Sequence, residues 1–188
     1  MPVPVPRDEV AGPASTALLW PNAQADLEGY GAHYVLFVSK SASHLDAFQV
    51  LTRMAAAVAQ ATNALGVYMG GAGMVVRRDL FVEMAQELEL PVPLWIDFRC
   101  GGTEDGKTAL FTVGLEQFEQ MEIEIPASAK GCGDLRLWTM NLAGWLIETR
   151  PTIKPGETVG LTADERILVQ HSRSMIDRED PVMSLTGI

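Results

Sequence analysis

Four glutamates lie close together in the middle of the chain and form its densest group of residues that could do acid/base or metal chemistry. Glu116, Glu119, Glu122 and Glu124 fall within nine consecutive residues. Such a density could supply a general acid/base pair or a site for a hard cation. Two other interpretations stay open. The glutamates could be solvated strand and turn residues, or they could form an acidic face that docks a basic partner protein.

A glycine-rich loop is the second group with possible chemistry. Gly70, Gly71 and Gly73 follow a predicted strand and lead toward a predicted helix, and Arg77 comes shortly after them. Backbone N–H groups in such a loop can bind a phosphate. However, the loop lacks the Gly-Lys-Ser/Thr ending of a P-loop, and Val76 stands where a dinucleotide fingerprint needs its third glycine. A plain tight turn is the competing interpretation, since glycine readily adopts positive φ.

The histidines and cysteines show no catalytic or metal-binding spacing. His33, His44 and His171 are far apart, and Cys100 and Cys132 do not form a Cys-x-x-Cys pair. A Gly-x-Ser-x-Gly nucleophile elbow is also missing from the sequence. We therefore expect a non-enzymatic protein with no metal site, no cofactor and reduced thiols.

The charge and the apolar pattern exclude several classes of function. A net charge of -10 disfavours nucleic acid as a partner and favours a protein with a basic surface. The sequence has no run of about 18 apolar residues, and its first residues do not resemble a signal peptide. The expected location is therefore the cytoplasm, without contact with a membrane.

The elements that must position these residues begin after a proline-rich start. We interpret residues 1–31 as a proline-rich N-terminal arm and residues 32–188 as a single α+β domain. A strand is predicted over 33–38, and Ser43 is placed to cap a helix of about 18 residues. A strand over 65–69 and a second helix ending before Pro91 complete a β-α-β-α segment.

The second half of the chain predicts hairpins around a third helix. Strands are expected over 93–99 and 108–113, and a third over 121–125 should turn Glu122 and Glu124 to solvent. The third helix should be capped by Asp134, with buried apolar residues at helical spacing: Leu135, Trp138, Leu142 and Trp145. Closing strands are expected over 158–161, 167–170 and 182–186. The predicted fold is therefore α+β, with a mixed, largely antiparallel sheet and about three helices.

Several of these segments carry a resemblance to a known family. They are Tyr34-Val-Leu-Phe-Val-Ser39, Gly66-Val-Tyr-Met, Leu94-Trp-Ile-Asp-Phe98, Thr112-Val-Gly-Leu115 through Glu122-Ile-Glu-Ile125, and Gly156-Glu-Thr-Val-Gly160. With them, residues 32 to 187 resemble bacterial proteins classed as domain of unknown function 4261. The resemblance implies a small protein of the kind found at toxin and secretion loci. It transfers no active-site residue.

Together these observations predict a non-catalytic protein-binding domain. The leading hypothesis is an immunity-type protein that neutralises a cognate bacterial toxin, using an acidic face with Glu116, Glu119, Glu122 or Glu124. One alternative is an accessory or chaperone protein for a secreted effector, as in type VI secretion, that binds through its arm around Trp20. The other is a small phosphate- or nucleotide-binding domain at the glycine loop. The sequence decides neither the identity of the partner nor the oligomeric state.

Overall fold

The computed structural model describes residues 7–39 and 41–188. The chain divides into two compact units, Met1–Trp95 and Ile96–Ile188. Among the described residues, each unit has a sheet of its own, with two strands in the first and six in the second. Helices and mixed, largely antiparallel sheets together confirm the predicted α+β class.

The first unit consists mainly of helices around a short hairpin. Its two strands run antiparallel, with Met69 opposite Met74 at the turn. The elements in chain order are α1 (Arg7–Ser15), α2 (Ala23–Leu27), α3 (His44–Ala61), β1 (Gly66–Met69), β2 (Met74–Arg77), α4 (Arg78–Glu87) and α5 (Val92–Trp95).

Helix α3 begins and runs as the sequence predicts. Ser43 Oγ accepts a hydrogen bond from the backbone N–H of Asp46 at 3.1 Å, and the helix is 18 residues long. A side-chain oxygen at this position satisfies one of the free N–H groups of the first turn. The buried side of α3 is held by Thr52, whose Oγ1 accepts a 2.7 Å hydrogen bond from Trp95 Nε1.

The predicted β-α-β-α start is not confirmed. Residues 31–39 form neither helix nor strand, so helices α1, α2 and α3 precede the first strand. The segment has strong β propensity, but a strand also needs a neighbouring backbone to pair with. None of the described residues provides that partner.

The described part of the predicted arm contributes to a core. Val10, Ala14, Trp20 and Ala23 form a buried cluster with Val75 of β2. The Trp20 ring is also fixed at its polar end, where Nε1 donates a 2.6 Å hydrogen bond to the Asp26 carboxylate. Residues 1–6 lie outside the described residues, and the predicted boundary at residue 32 stays a prediction.

The second unit is built on a six-stranded sheet. Its strand order is β3-β4-β5-β8-β7-β6, and only the β5–β8 pair is parallel among these neighbours. β3 and β4 form the predicted hairpin, with Gly102 opposite Thr108 next to its turn. The strand predicted over 93–99 is wrong at its start, because Val92–Trp95 is a short helix and β3 begins at Asp97. The elements are β3 (Asp97–Gly102), β4 (Thr108–Val113), β5 (Ile123–Ser128), α6 (Cys132–Thr149), β6 (Thr158–Val159), β7 (Ile167–Ser172) and β8 (Val182–Thr186).

Helix α6 differs from its prediction in its N-cap residue and in the burial of one of its two tryptophans. Gly131 is the N-cap, so Asp134 lies in the first turn instead of capping the helix. Trp138 is buried as expected, whereas 42% of Trp145 is exposed. The remaining buried apolar residues of α6 include Leu135, Leu142, Leu146 and Ile147.

Candidate functional site

The most exposed apolar surface of the described chain lies in residues 33–38, between α2 and α3. Tyr34, Val35 and Phe37 are 71%, 75% and 77% exposed. Three large apolar side chains this exposed within four residues are unusual for a protein surface and typical of a contact site. We call residues 33–38 the apolar segment.

The backbone of the apolar segment is as available as its side chains. Within the parts of the chain that the structure describes, no strand pairs with residues 31–39. The side chains are β-branched or aromatic, which suits them to a strand. A segment of this kind can pair with the edge of another protein's sheet, where backbone hydrogen bonds supply affinity and alternate side chains supply specificity.

Two of the four predicted acidic-face residues lie on the surface. Glu116 and Glu119 are exposed and belong to the 3-10 turn at Leu115–Phe118 and its C-cap. Glu119 adopts positive φ and forms an ion pair with Arg150. Their role in binding a partner stays a prediction.

Glu122 and Glu124 do not face solvent, so this part of the prediction is wrong. They are only 2% and 1% exposed. Glu122 accepts hydrogen bonds from Thr112 Oγ1 and Gly114 N–H, both at 2.5 Å. Glu124 accepts hydrogen bonds from Ser174 Oγ at 2.5 Å and from the backbone N–H of Met175 at 2.7 Å. The two carboxylates therefore fasten the 173–181 loop and the β4–β5 connection to the sheet.

Arg178 completes this buried polar group. Its Nη1 lies 3.7 Å from Glu122 Oε1, and its Nη2 donates a 2.5 Å hydrogen bond to the carbonyl of Thr112. Its guanidinium also lies 5.9 Å from the centre of the Phe111 ring, within cation–π range. The opposite charges of Glu122 and Arg178 compensate each other, while Ser174 and the N–H of Met175 satisfy Glu124, which is the chemistry of a structural clamp.

The glycine loop is the turn of a hairpin and not the entry to a helix. Gly70, Gly71 and Gly73 connect antiparallel β1 and β2, and Gly73 has φ +58°. Arg77 ends β2 and forms a bidentate ion pair with Asp79, at 2.6 and 2.7 Å. This hydrogen bonding lowers the pKa of the Asp79 carboxyl and raises that of the guanidinium. The turn interpretation accounts for Gly73, which has positive φ, and anion binding by the loop stays a prediction.

The expectation of reduced thiols is wrong, because Cys100 and Cys132 form a disulfide. The two residues are 32 positions apart in sequence. Their pairing depends on β3 and the start of α6 lying side by side, with Cα atoms 5.8 Å apart. Spacing alone does not reveal such a contact.

His44 and His171 lie in different elements. His44 is the first residue of α3, while His171 lies in β7 with Nε2 3.1 Å from the carbonyl of Ile153. Over residues 7–39 and 41–188, no three His, Cys, Asp or Glu side chains are grouped as a metal site would need. In the same ranges, no helix is both long and apolar enough to cross a membrane.

Comparison with known families identifies one region of the chain. Residues 111–186 match the family model described as a domain of unknown function, DUF4261. Residues 111–186 are therefore similar to DUF4261 domains. The match runs from β4 to the end of β8, so it confirms the family resemblance in the second unit, whereas residues 32–110 lie outside the matched range. No curated protein and no solved structure matches the chain.

The DUF4261 region contains the whole buried polar group around Glu122 and Glu124. The apolar segment lies outside that region. Sequence reasoning missed Ser174 and Arg178, because a contact across 50 residues leaves no local pattern. The usable signal was the presence of two arginines, Arg173 and Arg178, in the stretch before β8, because arginine pairs with carboxylates.

Proposed function

We propose that this protein acts by binding another protein and that the apolar segment, residues 33–38, makes the central contact. The observation that carries the proposal is the exposure of Tyr34, Val35 and Phe37, each above 70%. Binding would remove these side chains from water, and burying apolar surface is the main favourable term in most protein association. The unpaired backbone beside them would gain hydrogen bonds at the same time.

In its narrower form, the proposal is that the partner is a cognate bacterial toxin or secreted effector and that binding neutralises it in the cytoplasm. The net charge of -10 favours encounter with a basic surface, which is common on proteins that act on nucleic acid. Exposed Glu116 and Glu119 would steer such a partner. Glu122 and Glu124 have no part in it, since they are buried.

The test is co-expression with the product of the adjacent gene, followed by gel filtration and a toxicity assay. We expect a stable complex with the unaltered chain and its loss in the double variant Tyr34→Ser, Phe37→Ser. Both side chains are exposed, so the variant should fold with unchanged thermal stability.

The matched control is the double variant Glu116→Gln, Glu119→Gln, which should slow association while leaving most of the affinity intact, because rim charges act mainly on the association rate. If the apolar double variant still forms the complex and the glutamate double variant does not, the contact lies on the acidic surface and not on the apolar segment. If no complex forms with the unaltered chain, the toxin-neutralising form of the proposal fails.

A further inference from the structure

The disulfide at the start of α6 lies where a thiol can reach it. Cys100 belongs to β3, which is an edge strand of the six-stranded sheet, and Cys132 is the first residue of α6. Both cysteines are half-buried rather than enclosed. A disulfide between an edge strand and the end of a helix therefore lies close to solvent.

Glycines surround the two cysteines and leave the approach open. Gly101 follows the first cysteine, and Gly131 and Gly133 flank the second. All three are exposed, and each has nothing within 4 Å of the position that a Cβ atom would occupy. The backbone next to each cysteine therefore borders open space.

The two sulfurs are electrostatically different. Cys132 lies in the first turn of an 18-residue helix, where unpaired N–H groups favour a thiolate. Asp134 in the same turn opposes this effect in part. Cys100 lies in the middle of a strand, without such a field. On reduction, the better leaving group is the Cys132 thiolate.

We propose that Cys100–Cys132 is an exchange-active disulfide that a dithiol reductant opens and an oxidised dithiol closes. A thiolate of the reductant attacks Cys100 Sγ, the Sγ–Sγ bond breaks, and Cys132 leaves as a thiolate. The second thiolate of the reductant then attacks its own sulfur in the mixed disulfide and releases the Cys100 thiolate, which takes up a proton. Two electrons pass to the protein, and the reductant leaves as a disulfide. Closure runs through the same steps in reverse.

Opening the bond would free the N-terminus of α6 from the edge strand. One polar contact between the same elements remains, a 3.1 Å hydrogen bond from Arg136 Nε to the carbonyl of Phe98. The reduced chain therefore stays folded, with β3 held by β4 and this bond. A disulfide that opens and closes in this way suits a reducing compartment, where permanent disulfides are rare.

The first test compares reduction of the native full-length chain by dithiothreitol with reduction of the same chain in urea, followed by maleimide trapping and mass spectrometry. We expect native reduction to proceed within about tenfold of the unfolded rate, because access is the main remaining barrier. A native rate lower by about a thousandfold or more would show an inaccessible structural disulfide and overturn the proposal.

The second test separates the two sulfurs. In Cys100→Ser the remaining Cys132 thiol should be alkylated by iodoacetamide with a pH midpoint below the value of about 8.5 for a free cysteine. In Cys132→Ser the remaining thiol should be alkylated with an ordinary midpoint. Equal pH midpoints for the two thiols would contradict the assigned direction of attack. As a control for folding, both variants should show the same helical circular dichroism as the unaltered chain.

Discussion

The guanidinium of Arg178 lies 3.7 Å from the carboxylate of Glu122, and both side chains are largely withdrawn from solvent, at 17% and 2% exposure. The pair joins the loop before β8 to the residue that immediately precedes β5. A charge in such a place is tolerated because hydrogen-bond donors and an opposite charge surround it.

Replacing Glu122 by alanine should destabilise the second unit by about 3 to 5 kcal/mol, because it leaves the Arg178 charge and the Gly114 N–H without their partner. Glu122→Gln retains the shape and part of the hydrogen bonding, so it should cost less. Urea denaturation followed by circular dichroism measures both. Equal stability of Glu122→Ala and the unaltered chain would show that the carboxylate is not buried.

The two tryptophans of α6 form a matched pair. Trp138 is 7% exposed and Trp145 is 42% exposed. Trp138→Ala should cost about 3 to 5 kcal/mol in free energy of unfolding, as large-to-small changes in a core do. Trp145→Ala should cost about 1 kcal/mol or less. The comparison is made by thermal and urea unfolding, and a reversed order would place the opposite face of α6 in the core.

Gly66 on β1 is a place where a single methyl group does not fit. A Cβ atom there would lie 2.5 Å from both the Trp20 ring and the carbonyl oxygen of Val76. Gly66→Ala should therefore destabilise the first unit by about 1 to 3 kcal/mol. Gly12→Ala, in helix α1 with open space around it, is the control and should leave stability unchanged or raise it. If both variants behave alike, Trp20 does not pack on β1.

Glu165 should make the free energy of unfolding depend on pH in the acidic range. Hydrogen bonds from the Leu161 N–H and from Trp138 Nε1 lower the pKa of this carboxyl below its ordinary value of 4.5. Because the folded pKa is the lower one, the stabilisation is fully present above the unfolded pKa and is lost as pH falls through the folded pKa. The stability difference between the unaltered chain and Glu165→Gln should be largest above the ordinary carboxyl pKa of 4.5 and should shrink as pH falls below it. A difference that does not change with pH would contradict this.

Local features of the fold were predictable from the sequence, and long-range ones were not. The Ser43 cap, the length of α3 and the β3–β4 hairpin follow from patterns within a few residues. The Glu-Ile-Glu-Ile alternation of β5 predicted one wet face, and the structure covers that face with Ser174 and Arg178. The residues that bury this face come from a segment about 50 residues further along the chain, and no local sequence pattern indicates that contact.

The candidate site shows the same division. Strong β propensity in residues 33–38 predicted a buried strand, because propensity describes what a segment can form and not whether a partner backbone exists. The exposure of Tyr34, Val35 and Phe37 is a property of the folded chain that no local sequence pattern indicates. The disulfide was equally invisible, since it depends on how β3 and α6 pack.

Hydrogen exchange of the free protein, followed by mass spectrometry, tests most directly whether residues 33–38 are open for a partner. The backbone amides of this segment should exchange at nearly the rate of an unstructured peptide, while those of β5 and α6 exchange slowly. Protection of residues 33–38 equal to that of β5 would mean that the segment is already paired within the chain, and binding through it would be contradicted.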